Sequence, residues 1–146
     1  MKKFLLYISV SLLTLVSLSS CKSDIDNSFQ ASWIVVSYAD PFKATMEPTI
    51  VSPSEKYILR FNDDGNFSFS TDCNTVSGEY KSEGDKLNFL NLYATEMACD
   101  REIVERCVKS QLPAVESFKL QDDSILTLLG KDSNVLFELR KATDQE

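Results

Sequence analysis

Apolar and polar positions alternate with a period of two along most of this chain, and switch to a helical period once. Ser32-Trp33-Ile34-Val35-Val36-Ser37-Tyr38 is rich in β-branched and aromatic residues and predicts a strand. Residues 39–54 hold Pro41, Pro48 and Pro53 with no apolar period, which predicts a long loop. Lys56 to Phe61 predicts a second strand, and Asn62-Asp63-Asp64-Gly65-Asn66 a turn in which Gly65 supplies a positive φ. Phe67-Ser68-Phe69-Ser70 alternates and predicts the return strand of a hairpin. Val76 to Lys81 and Lys86 to Leu90 predict two more strands around a turn at Gly84, followed by an irregular link over 91–99.

A helix is predicted from Asp100, which can act as its N-cap. Ile103, Val104, Cys107 and Val108 recur at helical spacing, while Arg101, Glu102, Glu105, Arg106 and Lys109 fall on the opposite face. Pro113 should end or kink the helix near Gln111, with Val115 and Phe118 continuing its apolar face. Phe118–Leu120, Ile125–Leu129 and Val135–Leu139 predict three closing strands, with turns at Asp122-Asp123-Ser124 and at 130–134. Seven or eight short strands with short links favour antiparallel pairing. One late helix could blunt the edges of such a sheet. The fold class is therefore α+β: a curled, barrel-like antiparallel β-sheet with one packed α-helix.

The N-terminus follows a different pattern. Met1-Lys2-Lys3 is basic, an apolar run extends from Phe4 to about Val16, and Leu18-Ser19-Ser20-Cys21 closes it. These are the parts of a secretory signal. The run is shorter than the roughly 20 apolar residues that span a bilayer. Leu18-Ser19-Ser20-Cys21 resembles the bacterial lipobox. That resemblance implies cleavage of residues 1–20, lipid attachment at Cys21 and a membrane partner reached through the lipid. Residues 21–29 then form a polar tether, and 30–141 a single domain. Lys22, where an Asp would favour inner-membrane retention by analogy with enteric bacteria, points to the outer membrane. Asp24 and Asp26 resemble acidic export tags of some surface lipoproteins, so both the periplasmic and the exterior face stay open.

Cleavage would leave 126 of the 146 residues, enough for one domain. It removes Lys2 and Lys3 from the 15 basic residues and none of the 22 acidic ones, so the net charge moves from −7 to −9. Such a surface argues against a nucleic-acid partner, whose affinity rests on Lys and Arg at phosphates. The chain has no histidine. That excludes Ser-His and Cys-His catalytic pairs and His-ligated zinc. Asp63 and Asp64 lack EF-hand spacing and fit turn chemistry. No catalytic residue, metal or cofactor is expected. With Cys21 taken by lipid, Cys73, Cys99 and Cys107 remain, enough for one disulfide and one thiol.

Three stretches carry a family resemblance: Asp72-Cys73-Asn74, Ser77-Gly78-Glu79-Tyr80 and Thr95-Glu96-Met97-Ala98-Cys99. In this order they resemble the META domain, also called the heat-shock protein HslJ-like domain. Trp33 and Leu126-Thr127-Leu128 fit the same pattern. The family usually has Gly where this chain has Asp72, and the loop at 39–54 is longer than expected. The resemblance covers about residues 30–140. It implies a small α+β domain of envelope lipoproteins, linked loosely to stress or drug tolerance and without an established activity. Asn74, Gly78, Tyr80, Thr95 and Met97 are the motif positions.

Cys73 and Cys99 follow the two motifs, and their pairing is the expected disulfide, with Cys73–Cys107 and no disulfide as the rivals. Closing a loop of about 27 residues would stabilise the fold by roughly 3–3.5 kcal/mol. Cys107 reads as a buried, inert thiol. Asn74 suits a turn whose side chain ties down nearby backbone, and Thr95 a similar role before the helix. Gly78 fits a close approach in a strand. Tyr80 and Trp33 read as amphipathic core edges. The expected role is an envelope lipoprotein acting by protein contact or as a structural module. The alternative is a binder of a small apolar ligand, such as a lipid chain, inside the curled sheet.

Overall fold

A computed structural model describes residues 29–143 apart from 46 and 55. The expected signal sequence, Cys21 and residues 22–28 of the tether expected over 21–29 lie outside the described residues, while Phe29, the last residue of that tether, is fully buried in the core. Nine strands form one antiparallel sheet: β1 Ser32–Tyr38, β2 Thr49–Ile50, β3 Ile58–Phe61, β4 Asn66–Ser70, β5 Thr75–Glu83, β6 Lys86–Ala94, β7 Ser117–Gln121, β8 Ile125–Leu129 and β9 Val135–Lys141. A helix, α1, spans Ile103–Gln111 between β6 and β7. The sheet curls on itself because β1 pairs with β9 along one edge and with β3 along the other. The two-residue β2 extends that second edge, with Ser37 opposite Ile50. It lies inside the segment expected to be loop.

Closure is thinnest between β6 and β7, where Lys86 opposite Ser117 is the paired position. Beyond it the 3-10 turn Leu112–Ala114 packs against β6. Pro113 sits in this turn, where its missing N–H costs nothing. The apolar face of the helix does not continue to Phe118. Val115 is already extended, and Phe118 belongs to β7.

The link expected from residue 91 begins only after Ala94, because β6 runs on through a bulge. Ser77 pairs with Tyr93 and Glu79 with Leu90, so Asn91 and Leu92 together oppose Gly78. Asn91 takes φ +52° there. A bulge breaks the period-two pattern, which hides the second half of the strand from sequence reading.

Inward-facing side chains fill the barrel, as expected for about eight strands. Trp33, Phe29, Phe69, Leu59, Leu87, Leu126, Leu128, Phe137 and Leu139 are fully buried. Trp33 is deeper than the core-edge position expected for it, and its Nε1 donates to Phe29 O at 2.7 Å. Phe29 meets Phe61 edge-on at 4.9 Å between centroids and Phe118 at 4.7 Å, and Phe67 meets Phe89 at 4.8 Å.

Chain direction sorts the two ends of the barrel. Phe29, the turns at 62–65, 84–85 and 122–124, and the end of β9 gather at one end. The loop over 39–54, the β4–β5 turn, the 95–102 link and the start of α1 gather at the other.

Candidate functional site

Three of the motif residues, Asn74, Thr95 and Met97, meet at the end of the barrel far from Phe29. Asn74 follows β4 in the 71–74 turn and is 4 % exposed, so its amide must be satisfied within the protein. Its Oδ1 accepts from Thr95 Oγ1 at 2.8 Å and from Met97 N at 2.8 Å. Its Nδ2 donates to Met97 O at 3.2 Å and to Glu105 Oε2 at 2.8 Å. Thr95 Oγ1 in turn accepts from Thr75 N at 3.1 Å, and Thr71 Oγ1 donates to Asn74 O at 2.8 Å. One side chain thus ties the β4–β5 turn to the link and to α1. The backbone it holds is 23 residues away in sequence, not local.

Glu105 was expected on the solvent face of the helix but is 5 % exposed. Burial raises its pKa, yet hydrogen bonds from Lys109 and Asn74 outweigh burial and hold the carboxyl below its ordinary range. Lys109 also pairs with it across one helical turn. In sequence, Glu105 and Lys109 look like an exposed i,i+4 pair. A better signal was the buried amide of Asn74, which needs an acceptor.

The N-cap also differs from expectation. Glu102, not Asp100, is the capping position, and its side chain makes no cap bond. Asp72 supplies the oxygen instead: Oδ2 accepts from Val104 N at 2.8 Å and from Glu105 N at 3.3 Å. A carboxylate here meets both the free N–H groups and the positive end of the helix dipole. The resemblance implies a glycine at this position, and the cap gives Asp72 a physical role there.

Cys73 and Cys99 are joined by a disulfide, their Cα atoms 6.2 Å apart. Cys107 is buried on α1 and free. Burial first, and then Asp40, whose Oδ1 lies 3.6 Å from the sulfur, push its thiol up to about 12. The neighbouring Arg106 points away and stacks over the Phe42 ring at 4.5 Å.

Gly78 sits at the β6 bulge, where an added Cβ would stand 2.6 Å from Leu90 O and 2.9 Å from a Phe67 ring carbon. Tyr80 is buried, but its hydroxyl donates to Asn62 O at 2.9 Å and accepts from Gln30 Nε2 at 2.9 Å. Its ring packs edge-on against Phe61 at 5.0 Å. Tyr80 therefore belongs to the opposite end of the barrel and is not part of the Asn74 cluster. Met97 joins the cluster through its backbone, while its side chain is 61 % exposed.

Beside the cluster, a cleft of about 520 Å³ opens between the β4–β5 turn and the link, lined by Tyr57, Thr71, Asp72, Cys73, Cys99 and Arg101 among others. Among the described residues, no three metal-ligating side chains converge, and no buried side-chain nitrogen or oxygen lacks a partner.

A META domain model matches residues 28–143. The chain belongs to the META domain family. Three solved structures share the fold of this META domain. An NMR structure of a protein from Burkholderia xenovorans superposes with a TM-score of 0.60 at 20 % identity, covering 78 % of this chain and 83 % of that one. A second NMR structure gives 0.57 at 19 % identity, covering 77 % and 89 %. A crystal structure of a DUF4847 family protein from Bacteroides vulgatus gives 0.54 at 16 % identity, covering 78 % and 95 %. At these identities the likeness is one of fold. No curated protein matches the chain.

Proposed function

We propose that this META domain is the non-catalytic module of an outer-membrane lipoprotein, anchored through Cys21 and acting by protein contact or as a structural element of the envelope. The observation that carries the non-catalytic reading is the Asn74 cluster. Its amide and the carboxylate of Glu105 are committed to internal hydrogen bonds, so the motif serves architecture. The apolar-ligand alternative would need room inside the barrel, where Trp33, Phe69, Leu126 and Phe137 are packed with no exposure. The anchoring part rests on Leu18-Ser19-Ser20-Cys21 after a basic and apolar leader.

Two experiments test the two parts. In cells fed an alkyne fatty acid, the chain should take up label, and Cys21→Ala should abolish it and move the protein out of the membrane fraction. A Cys21→Ala chain that stays membrane-bound would refute the anchor. Native mass spectrometry of that released chain should show the bare polypeptide mass, whereas a copurifying lipid would favour the ligand-binding alternative.

A further inference from the structure

The disulfide occupies an unusual position for a purely structural bridge. Cys73 is exposed and Cys99 half-buried, on the wall of the open cleft between the β4–β5 turn and the link. The segment Ala98–Arg101 has neither helix nor strand structure. It is fixed at one end where Asn74 clamps Met97, and at the other where Asp72 caps Val104. Between those ends, Cys99 is its covalent tie to the barrel. The two sulfurs also differ. Asn74 Nδ2 lies 3.5 Å from Cys99 Sγ, so a thiolate formed there would share the N–H that also reaches Met97 O. Cys73 is the more exposed residue of the two, and so the one a partner meets first. Attack on the accessible sulfur with departure of the better-stabilised one is the favoured course of thiol–disulfide exchange.

We propose that Cys73–Cys99 is an exchange site for a dithiol protein of the Cys-x-x-Cys class, and that its reduction loosens the link around Cys99 without unfolding the barrel. The partner's thiolate attacks Cys73 Sγ, forming a mixed disulfide as Cys99 leaves as a thiolate and takes up a proton. The partner's second thiol then attacks its own sulfur in that mixed disulfide and frees Cys73. The partner's two thiols are oxidised to a disulfide, and Cys73 and Cys99 are reduced by the same two electrons. The fold survives because the bonds of Asn74 Oδ1 to Thr95 and Met97, the cap on α1 and the strand ladder involve neither sulfur. Cys107, fully buried, takes no part. Residue 29, which follows the tether of the proposed anchor, lies at the other end of the barrel from the bridge. The exchange chemistry itself does not depend on the anchor.

The test uses the full chain and a Cys-x-x-Cys oxidoreductase whose second cysteine is replaced by serine, which traps the mixed disulfide. Peptide mapping should place the trapped partner on Cys73. Reduction with dithiothreitol should increase tryptic cleavage after Arg101 by about tenfold or more, the signature of local opening. The emission of Trp33 should stay native throughout. The Cys73→Ser/Cys99→Ser chain should be cut after Arg101 without any reductant. Trapping on Cys99, reduction that occurs only in denaturant, an unchanged cleavage rate, or loss of native Trp33 emission on reduction would each overturn the proposal.

Discussion

Replacing Asn74 by aspartate changes one NH₂ group to an oxygen and leaves the shape intact. The Oδ1 acceptor for Thr95 and Met97 is kept. The new oxygen, however, stands where Nδ2 was, 2.8 Å from Glu105 Oε2. Two unit charges about 3 Å apart repel by roughly 5–6 kcal/mol at an effective dielectric of about 20. Protonation of one carboxyl limits this, at about 1.4 kcal/mol for each pH unit by which its pKa is raised. The expected loss at pH 7 is therefore about 3–4 kcal/mol, a large part of a typical domain's 5–15 kcal/mol. Urea unfolding read through Trp33, the only tryptophan, measures it.

The pH dependence gives the sharper test. In the wild type, Glu105 has a depressed pKa, so it contributes stability above its ordinary value of 4.5 that is lost as pH falls through the lower folded value. In Asn74→Asp the shared proton raises a folded pKa above its unfolded one. The deficit is then small near pH 4 and grows as pH rises toward the raised value. Lowering the pH should weaken the wild type and narrow the gap to the variant. Adding Glu105→Gln should recover most of the loss at pH 7, because its amide can donate to the new carboxylate. An Asn74→Asp chain as stable as wild type at pH 7, or one that Glu105→Gln does not rescue, would refute the buried contact.

Other variants probe the remaining parts. Asp72→Ala removes the cap from α1 and should cost about 1–2 kcal/mol by the same urea assay, with Asp72→Asn recovering part of it. Gly78→Ala forces a methyl against Leu90 O and Phe67 and should cost about 1–3 kcal/mol, whereas Glu79→Ala at the exposed next position should be near neutral. The Cys73→Ser/Cys99→Ser chain should lose roughly 3–3.5 kcal/mol of stability while remaining folded. Cys107 should resist a maleimide reagent at pH 8 in the native state and react once urea unfolds the chain, since burial and Asp40 push its thiol up to about 12.

The strands with clean alternation, such as Phe67-Ser68-Phe69-Ser70, could be read directly because one face is buried and the other is wet. β6 could not, since the bulge opposite Gly78 shifts the alternation midway. The two-residue β2 carries too few positions to show a period at all. The helix was visible from Val104, Cys107 and Val108, but its cap was not. Asp72 lies about thirty residues upstream, and no local rule links it to Val104. The same limit applied to the Asn74 cluster. Family motifs marked Asn74, Thr95 and Met97 as belonging together, yet not that Met97 contributes only its backbone. Glu105 was assigned to solvent because charge on a short helix is normally solvated. Only the three-dimensional approach of the β4–β5 turn makes its burial tolerable.

Asn74, Thr95 and Met97 form a permanent internal clamp. Met97 N–H tests it most directly, for this amide lies outside every strand and helix and its side chain is exposed, yet it donates to Asn74 Oδ1. Native-state hydrogen exchange should find it protected to a degree comparable with the β5 amides, and Asn74→Ala should abolish that protection. Exchange of the Met97 amide at the rate of an unstructured peptide in the wild-type protein would contradict the account.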